Sequence, residues 1–361
     1  MTMNERSPRR ILVYEFISAG GLGDQLSTPM HADGEGRPGE SLLLQGMTMR
    51  DAIVEDLLAS AGLEVCVVDS AAAPWMPQTA QDMHAQRCKA VRAAPGESPE
   101  AFLARASPGF DRVWVIAPET SNILAGLCRI VGPARWTGCD AVAIELCSSK
   151  SATREHLARH SIATPTGWLP DDGSPRAGTR WIVKPDDGAG TQDTRRHTDL
   201  AAARADFDAR RAAAKPATLE RWVDGEAISL SLLCGGDGAE LLCVNRQRIH
   251  VAHDGTLSYH GVQTDVETRG SGRWHNLTAL ARAIHAAIPG LAGFVGIDLI
   301  WTPDGQAVVI EINPRPTCAY VGLSRRLGRN LGTEILAIQD TMPTSSPAVR
   351  ASESTATERA A

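Results

Sequence analysis

The stretch from Gly293 to Thr317, GFVGIDLIWTPDGQAVVIEINPRPT, constrains this chain more than any other. Two apolar runs, 294–301 and 306–312, flank Asp304-Gly305, a dipeptide that tolerates positive φ and marks a two-residue β-hairpin loop. With Asp304 and Gly305 as that loop, Pro303 faces Gln306 and Asp298 falls directly opposite Glu311. Opposed residues share a face of the sheet, as do residues two apart, so Asp298, Glu311 and Asn313 project from one side. Like charges placed opposite each other destabilise a sheet by roughly 0.2 to 1 kcal/mol unless something positive lies between them. Two carboxylates and an amide suit a hard divalent cation such as Mg²⁺, which keeps waters and completes its shell with substrate phosphates. The bland alternative is a strand whose acids face solvent. The hairpin therefore predicts a metal and nucleotide-phosphate site.

The whole chain sets bounds on that reading. Its 361 residues suffice for two or three domains, and 43% hydrophobic with 22% charged residues reads as an ordinary globular protein. A net charge of −6 argues against a general nucleic-acid or membrane-surface binder, so a phosphate site has to be locally basic. The N-terminus, MTMNERSPRR, is followed by only a short apolar run, and no run approaches the ~18 residues of a membrane span, so the expected location is cytoplasmic. Eight cysteines without a C-x-x-C pair read as buried thiols. His250, His253 and His260 are expected to share no face and to hold no metal.

Along the chain, residues 11–16 read as a first strand ending in the glycine loop 20–23, with Glu15 and Ser18 beside it as candidate substrate residues. A tight turn at a strand end is the competing reading. A dinucleotide fingerprint fails because Leu26 stands where a third glycine is needed. Residues 31–40 are expected to be a mobile loop, 43–63 a helix closed by Gly62, and 64–68 a strand; strand, helix, strand predicts a parallel α/β layer. Residues 71–100 give no clear reading. A strand at 112–116 leads to Glu119, Thr120 and Asn122, placed where α/β sheets bind ligands and read as substrate-side residues, with Ser121 equally a helix cap.

Farther on, a helix at 152–160 follows Ser149-Lys150, and a strand at 180–184 delivers Lys184 into DDGAGTQDT, where Gly188 and Gly190 let backbone N–H groups turn toward an anion. Ordinary turns also look like this. Arg246 sits on a strand within Asn245-Arg246-Gln247 and can meet a phosphate or carboxylate, or simply a surface partner. A helix at 277–288 is expected beneath the hairpin, and the residues from 341 onward read as disordered.

Asp298, then Glu311 and Asn313 as E-x-N, then Arg315 in EINPRPT, resemble the metal-binding end of the ATP-grasp superfamily. The resemblance implies an α/β fold, α+β in the ATP-binding part, behind an N-terminal parallel α/β domain. It implies ATP and Mg²⁺ as cofactors, with Mn²⁺ able to substitute, and Asp298, Glu311 and Asn313 as metal ligands. Gly188, Gly190 and Thr191 correspond to the loop that covers the ATP phosphates, and Lys184 and Lys150 to the two ATP-contacting lysines; the usual acid before the latter is Ser149 here. Glu220, the backbone at Trp222-Val223, and Glu226 correspond to the adenine- and ribose-binding linker, with Trp222 otherwise a plain core aromatic. Arg315 and Lys184 are the implied catalytic residues, Arg315 holding the acyl phosphate or its carboxylate precursor.

The implied organisation is a flexible segment 1–10, an N-terminal domain 11–146, a small ATP-grasp subdomain 147–225, a larger one 226–340 and a disordered tail 341–361. More narrowly, VYEFISAGG, APETSNIL, NRQ and EINPRPTCAYVGL look like the branch that contains tyramine–L-glutamate ligase, of methanofuran-type cofactor synthesis. That implies a carboxylate–amine ligase with small-molecule partners, neither nucleic acid nor membrane, and is compatible with a homodimer. A biotin-carboxylase-like enzyme and a non-catalytic ATP sensor are the competing readings.

Overall fold

The computed structural model describes residues 8–21, 38–75, 87–168, 178–188 and 191–342. The expected loop up to residue 37, Gly190, and the tail from 343 onward lie outside the described residues.

The first layer is a parallel sheet of β1 (Arg9–Glu15), β2 (Leu63–Asp69), β3 (Cys88–Arg92), β4 (Arg112–Ile116) and β5 (Trp136–Thr137), in the order β3-β2-β1-β4-β5. Parallel strands are covered on both faces, which is why β1 is a continuous apolar run. Ile11 and Val13 pack with Ile53, Val54 and Leu57 of α1 (Pro38–Leu58). Leu12 and Tyr14 pack on the other face, with α2 (Pro99–Ala106), α3 (Ile123–Val131) and α4 (Ala141–Ser148). The predicted α/β layer is present, with its boundaries corrected. β1 begins inside the segment expected to be flexible, and α1 starts at Pro38 and stops at Leu58, leaving Gly62, at φ 79°, to turn the chain into β2. The unread stretch supplies β3, a short edge strand with Lys89 and Arg92 facing out, the charged pattern that keeps an edge from pairing further. Ser121 is not a helix cap: Ser121 and Asn122 have φ of 54° and 60°, and Asn122 stands at the α3 N-cap without a side-chain bond.

After α5 (Lys150–Arg159) come β6 (Trp181–Pro185), β7 (Arg195–His197), α6 (Leu200–Ala212) and β8 (Ala217–Arg221), a small antiparallel sheet in the order β7-β6-β8 backed by α6. The third sheet comprises β9 (Glu226–Gly235), β10 (Gly238–Val251), β11 (Leu257–Gln263), β12 (Gly293–Trp301) and β13 (Ala307–Asn313), all antiparallel, in the order β11-β10-β9-β12-β13. α7 (Gly272–Ala287) starts earlier than expected, where Ser271 Oγ accepts the Trp274 N–H at 3.0 Å, and it lies along β10. α8 (Leu323–Leu327) and α9 (Leu331–Thr341) return to the first layer, where Asp340 accepts from Arg9 and Arg112.

The β12–β13 hairpin places its key pair as predicted, by a different route. Thr302 pairs with Gln306, so the loop has three residues, Pro303-Asp304-Gly305, with the Gly305 N–H bonded to Thr302 O at 2.9 Å. That shifts the ladder by one residue at Trp301–Ala307 and Leu299–Val309, and a bulge before Asp298 shifts it back, so Asp298 does face Glu311. All eight cysteines are free, and seven are buried. The His250 and His260 rings, expected to share no face, meet edge-on with centroids 5.9 Å apart. Among the described residues, no helix is long and apolar enough to cross a membrane.

Candidate functional site

The third sheet carries alternating rows across its strands. Leu230, Val244, Ile297 and Ile312 form an apolar row turned toward the core. Asn245, Ser229, Asp298 and Glu311 form the neighbouring row on the opposite face, and Ser231 and Asn313 extend it. Gln247, two residues beyond Asn245 and hence on its face, donates to Asp298 Oδ1 at 2.9 Å, and Asn313 Nδ2 donates to Oδ2 at 3.4 Å.

Two lysines from other elements close on this row. Lys150, the first residue of α5, is buried with Nζ 3.2 Å from Glu311 Oε2, and it donates to the Gly188 carbonyl. Lys184, at the end of β6, is buried 2.9 Å from Glu220 Oε2, and Thr218 Oγ1 donates to Glu220 Oε1 at 3.2 Å. Where the resemblance led us to expect an acid before Lys150, Ser149 caps α5 and donates to Asp186 Oδ2 at 2.7 Å, while the Ser151 N–H donates to Oδ1 at 2.8 Å. Asp186 thus places a carboxylate beside Ser149 and ties the loop after β6 to the start of α5.

Between the small and the large sheet lies a cavity of about 310 Å³. One end is charged, with Lys150, Lys184, Asp298 and Glu311; the other is apolar, with Ile182, Val223, Ile249, Val251 and Ile300. Thr191, Glu220, Trp222 and Tyr259 are also in the wall. Trp222 is therefore no core aromatic: it is half-buried, its indole N–H donates to Asp224 at 3.0 Å, and the Arg196 guanidinium sits 5.3 Å from its ring.

Other expected residues are placed differently. Glu226, the expected ribose acid, is held by Arg246 at 2.5 Å and Arg273 at 2.9 Å, outside the cavity wall. Arg246 lies in the row of the buried Ile228, away from Asp298, so its partner is the surface one. Period two assigns Gln247 rather than Arg246 to the site; the sequence held that signal, but the charge drew attention to the wrong neighbour. Glu15 is buried beneath α1, and its carboxylate accepts the Ile17 and Ser18 N–H groups at 3.1 and 2.6 Å, so it closes its own turn. Asn122 is exposed and lines neither the large cavity nor the small one beside Glu119. Glu119 does reach the site: Arg315 donates to both its oxygens, at 2.9 and 3.0 Å, joining the first layer to the segment after β13. The nearby Ser121 N–H donates to Asp187, in the loop after β6, at 3.0 Å.

Electrostatics bears on the cation. Burial, then the charge of Glu311, pushes the Asp298 carboxyl up to about 8, against the hydrogen bonds from Gln247 and Asn313. Burial works against the Glu311 carboxylate too, but Lys150 and then Lys184 outweigh it and hold its pKa low. Lys150 stays charged: burial opposes its ammonium, and Glu311 overcomes that. Two opposed, partly buried acids, one of them pushed toward its neutral form by the other, are a fitting oxygen donor set for Mg²⁺. Among the described residues no cluster of three or more His, Cys, Asp or Glu side chains forms a metal site, so the set depends on Asn313, whose amide must turn over to present its oxygen.

Comparison with known proteins agrees with this architecture. The family profile of the ATP-grasp domain matches residues 147–319, and that of the pre ATP-grasp 3 domain matches residues 75–144. No curated protein sequence matches the chain. Among solved structures, an ATP-grasp superfamily protein from Archaeoglobus fulgidus is similar over 91% of this chain and 88% of its own, at 19% identity and a TM-score of 0.60. D-alanine–D-alanine ligase from Bacillus anthracis complexed with ATP is similar over 92% and 97%, at 13% identity and a TM-score of 0.58. L-amino acid ligase from Bacillus licheniformis is similar over 93% and 74%, at 15% identity and a TM-score of 0.58. At these identities the likeness is one of fold.

Proposed function

We propose that this chain, which belongs to the ATP-grasp superfamily, is an ATP-dependent ligase that activates a carboxylate as an acyl phosphate and joins it to an amine. The observation that carries the reading is the meeting, at one end of a 310 Å³ cavity with an apolar far end, of two buried lysines and two partly buried carboxylates. An apolar slot that ends in fixed charge suits a flat base joined to phosphates.

In this proposal Ile182, Trp222, Val223 and Ile300 sandwich the adenine, and Gly188 and Thr191 approach the phosphates. Lys150 and Lys184 neutralise phosphate oxygens; both are held by carboxylates, so little reorganisation is needed when ATP arrives. Asp298, Glu311 and, once turned, Asn313 would hold Mg²⁺, or Mn²⁺ in its place, which when bound screens charge on the phosphates. The chemistry needs positioning rather than covalent help from the protein. A substrate carboxylate oxygen attacks the γ-phosphorus and ADP leaves; an amine nitrogen then attacks the acyl carbon and phosphate leaves. Arg315, beside the row that ends in Asn313, holds the carboxylate.

The finer reading is L-glutamate plus tyramine giving glutamyl-tyramine in the cytoplasm. The stretches VYEFISAGG, APETSNIL and EINPRPTCAYVGL support it, and the two amino-acid ligases among the structural neighbours support amide formation. The test is ADP release from Mg-ATP with L-glutamate, with and without tyramine, beside other acids and amines, and with Glu311→Gln as control. Amine-dependent release with a mass-detected amide, absent in the variant, is the expected result. Nucleotide binding with no release under any pairing would remove the ligase reading.

A further inference from the structure

We propose that the Glu119–Arg315 ion pair recognises the zwitterionic head of an α-amino acid: the substrate carboxylate takes over the Arg315 guanidinium, and the substrate ammonium takes over the Glu119 carboxylate thereby released. The inference rests on the ligase reading and deepens it by naming the class of acid.

Arg315 donates from Nε and Nη2 to the two oxygens of Glu119, at 2.9 and 3.0 Å, and the side chains are only 14% and 7% exposed. Among the described residues no other side chain hydrogen-bonds to that carboxylate. Glu119 also lines a cavity of about 10 Å³ together with Ser148, Lys150, Gly188, Glu311 and Asn313, next to the charged end of the large one. That space suits about one water, far less than any acid. Nη1 is turned to the Pro316 carbonyl at 3.3 Å, so a substrate carboxylate that takes the bidentate Nε–Nη2 edge of Arg315 has to open the pair.

Charge then decides which acids can do so. A simple carboxylate that takes Arg315 strips Glu119 of its hydrogen-bonded partner and leaves a buried anion close to Glu311, the costly half of breaking a buried ion pair. Lys150 lines the same small cavity and compensates only in part, because its ammonium is already shared between Glu311 and the Gly188 carbonyl. A zwitterion brings one anion and one cation, replaces one ion pair by two, and leaves the net charge of the site unchanged. Its two charged groups are joined through one carbon, which suits insertion into a close bidentate pair.

The test uses the full chain with Mg-ATP and hydroxylamine as a general amine. The acid and ATP give acyl phosphate and ADP; the hydroxylamine nitrogen then attacks the acyl carbon, phosphate and a proton leave, and a hydroxamate forms that is read by mass. Each proteinogenic amino acid, with D-alanine, is compared with its des-amino counterpart. In the wild type, kcat/KM for the best amino acid is expected to exceed that for its counterpart roughly 100-fold or more. In Glu119→Gln that ratio falls below about tenfold, chiefly through a raised KM for the amino acid, and Glu119→Asp restores part of it. Binding of a fluorescent ATP analogue, unchanged in both variants, shows that they fold. A purely structural ion pair would lower activity toward both acids alike. Equal use of amino and des-amino acids by the wild type, or a ratio unchanged in Glu119→Gln, overturns the inference and leaves the ligase reading standing. No hydroxamate from any acid removes the ligase reading itself, and this inference with it.

Discussion

The third sheet contains two hairpins with the same tip chemistry and different tasks. At Asp254-Gly255 the Gly255 N–H bonds to Ala252 O and the Ala252 N–H to Thr256 O, both at 2.9 Å; at Asp304-Gly305 the matching bonds, Gly305 to Thr302 and Thr302 to Gln306, are also 2.9 Å. The glycines have φ of 86° and 83°, the left-handed conformation that a three-residue loop of this kind requires. Yet the first tip is docked. Arg196 N–H donates to Gly255 O at 2.8 Å, Leu257 N–H donates to Thr194 O at 2.9 Å, and Arg195 pairs with Asp254 at 3.1 Å, so the β10–β11 hairpin straps the small sheet across the cavity. A Cβ on Gly255 would lie 2.0 Å from the Arg196 carbonyl oxygen, whereas one on Gly305 meets nothing nearer than Trp301, at 3.9 Å. The second hairpin leaves its tip exposed and carries its charge at the base, in Asp298 and Glu311. Identical local turns thus say where a chain reverses and nothing about what the reversal is for; partners distant in sequence decide that.

Four substitutions probe this contrast. The largest effect is expected at the base of the free hairpin: Glu311→Gln removes the partner of Lys150 and one carboxylate of the acid pair, and should lower kcat/KM for amide formation roughly a thousandfold while the unfolding temperature stays near that of the wild type. Retained activity would take the hairpin out of the chemistry.

Next is the docked tip. Gly255→Ala cannot keep both its φ and its contact with Arg196, so the strap should detach and ATP affinity should fall about tenfold, or ~1.4 kcal/mol, by titration calorimetry. Unchanged affinity would mean that the docking does not shape the cavity.

Asp298→Asn tests stored repulsion. Burial and the charge of Glu311 push the Asp298 carboxyl up to about 8 in the folded chain, against an ordinary value of 3.8, so between those pH values the folded state holds a proton that the unfolded state has lost, and stability declines as pH rises. With EDTA present, the variant should match the wild type near pH 4 and become the more stable by a growing margin, on the order of 1 kcal/mol or more, toward pH 8. A pH-independent difference would show that Asp298 holds no such proton. Gly305→Ala is the smallest perturbation: it forces alanine to a positive φ at an exposed tip, costing about 1 kcal/mol in denaturant melts and leaving turnover unchanged.

Much of this was legible in the chain because it is local. The Asp-Gly signal, the alternation through Asp298 and Glu311, and the strand that ends in Lys184 all lie within short windows. The three-residue loop and the bulge were not legible, and the predicted facing of Asp298 and Glu311 survived because the two shifts cancel. Where sequence reading failed, the deciding partner was distant. Arg246 looked like an anion binder until Glu226 and Arg273 were placed around it, and Glu15 looked like a substrate residue until the Ile17 and Ser18 amides closed on it. Glu119 is legible as a residue at a strand's carboxyl end, but Arg315, its partner, lies 196 residues farther along the chain. The edge strand β3 escaped notice because charged, exposed edge residues carry no apolar alternation.

Proton shuffling, docking and charge all serve one claim, that a carboxylate oxygen attacks the γ-phosphorus of ATP at this site. The most direct measurement is mass spectrometry of the phosphate released when the acid substrate carries ¹⁸O in both carboxylate oxygens. Activation as an acyl phosphate predicts one ¹⁸O in the phosphate for each amide formed. Released phosphate free of ¹⁸O, with amide accumulating, would contradict it.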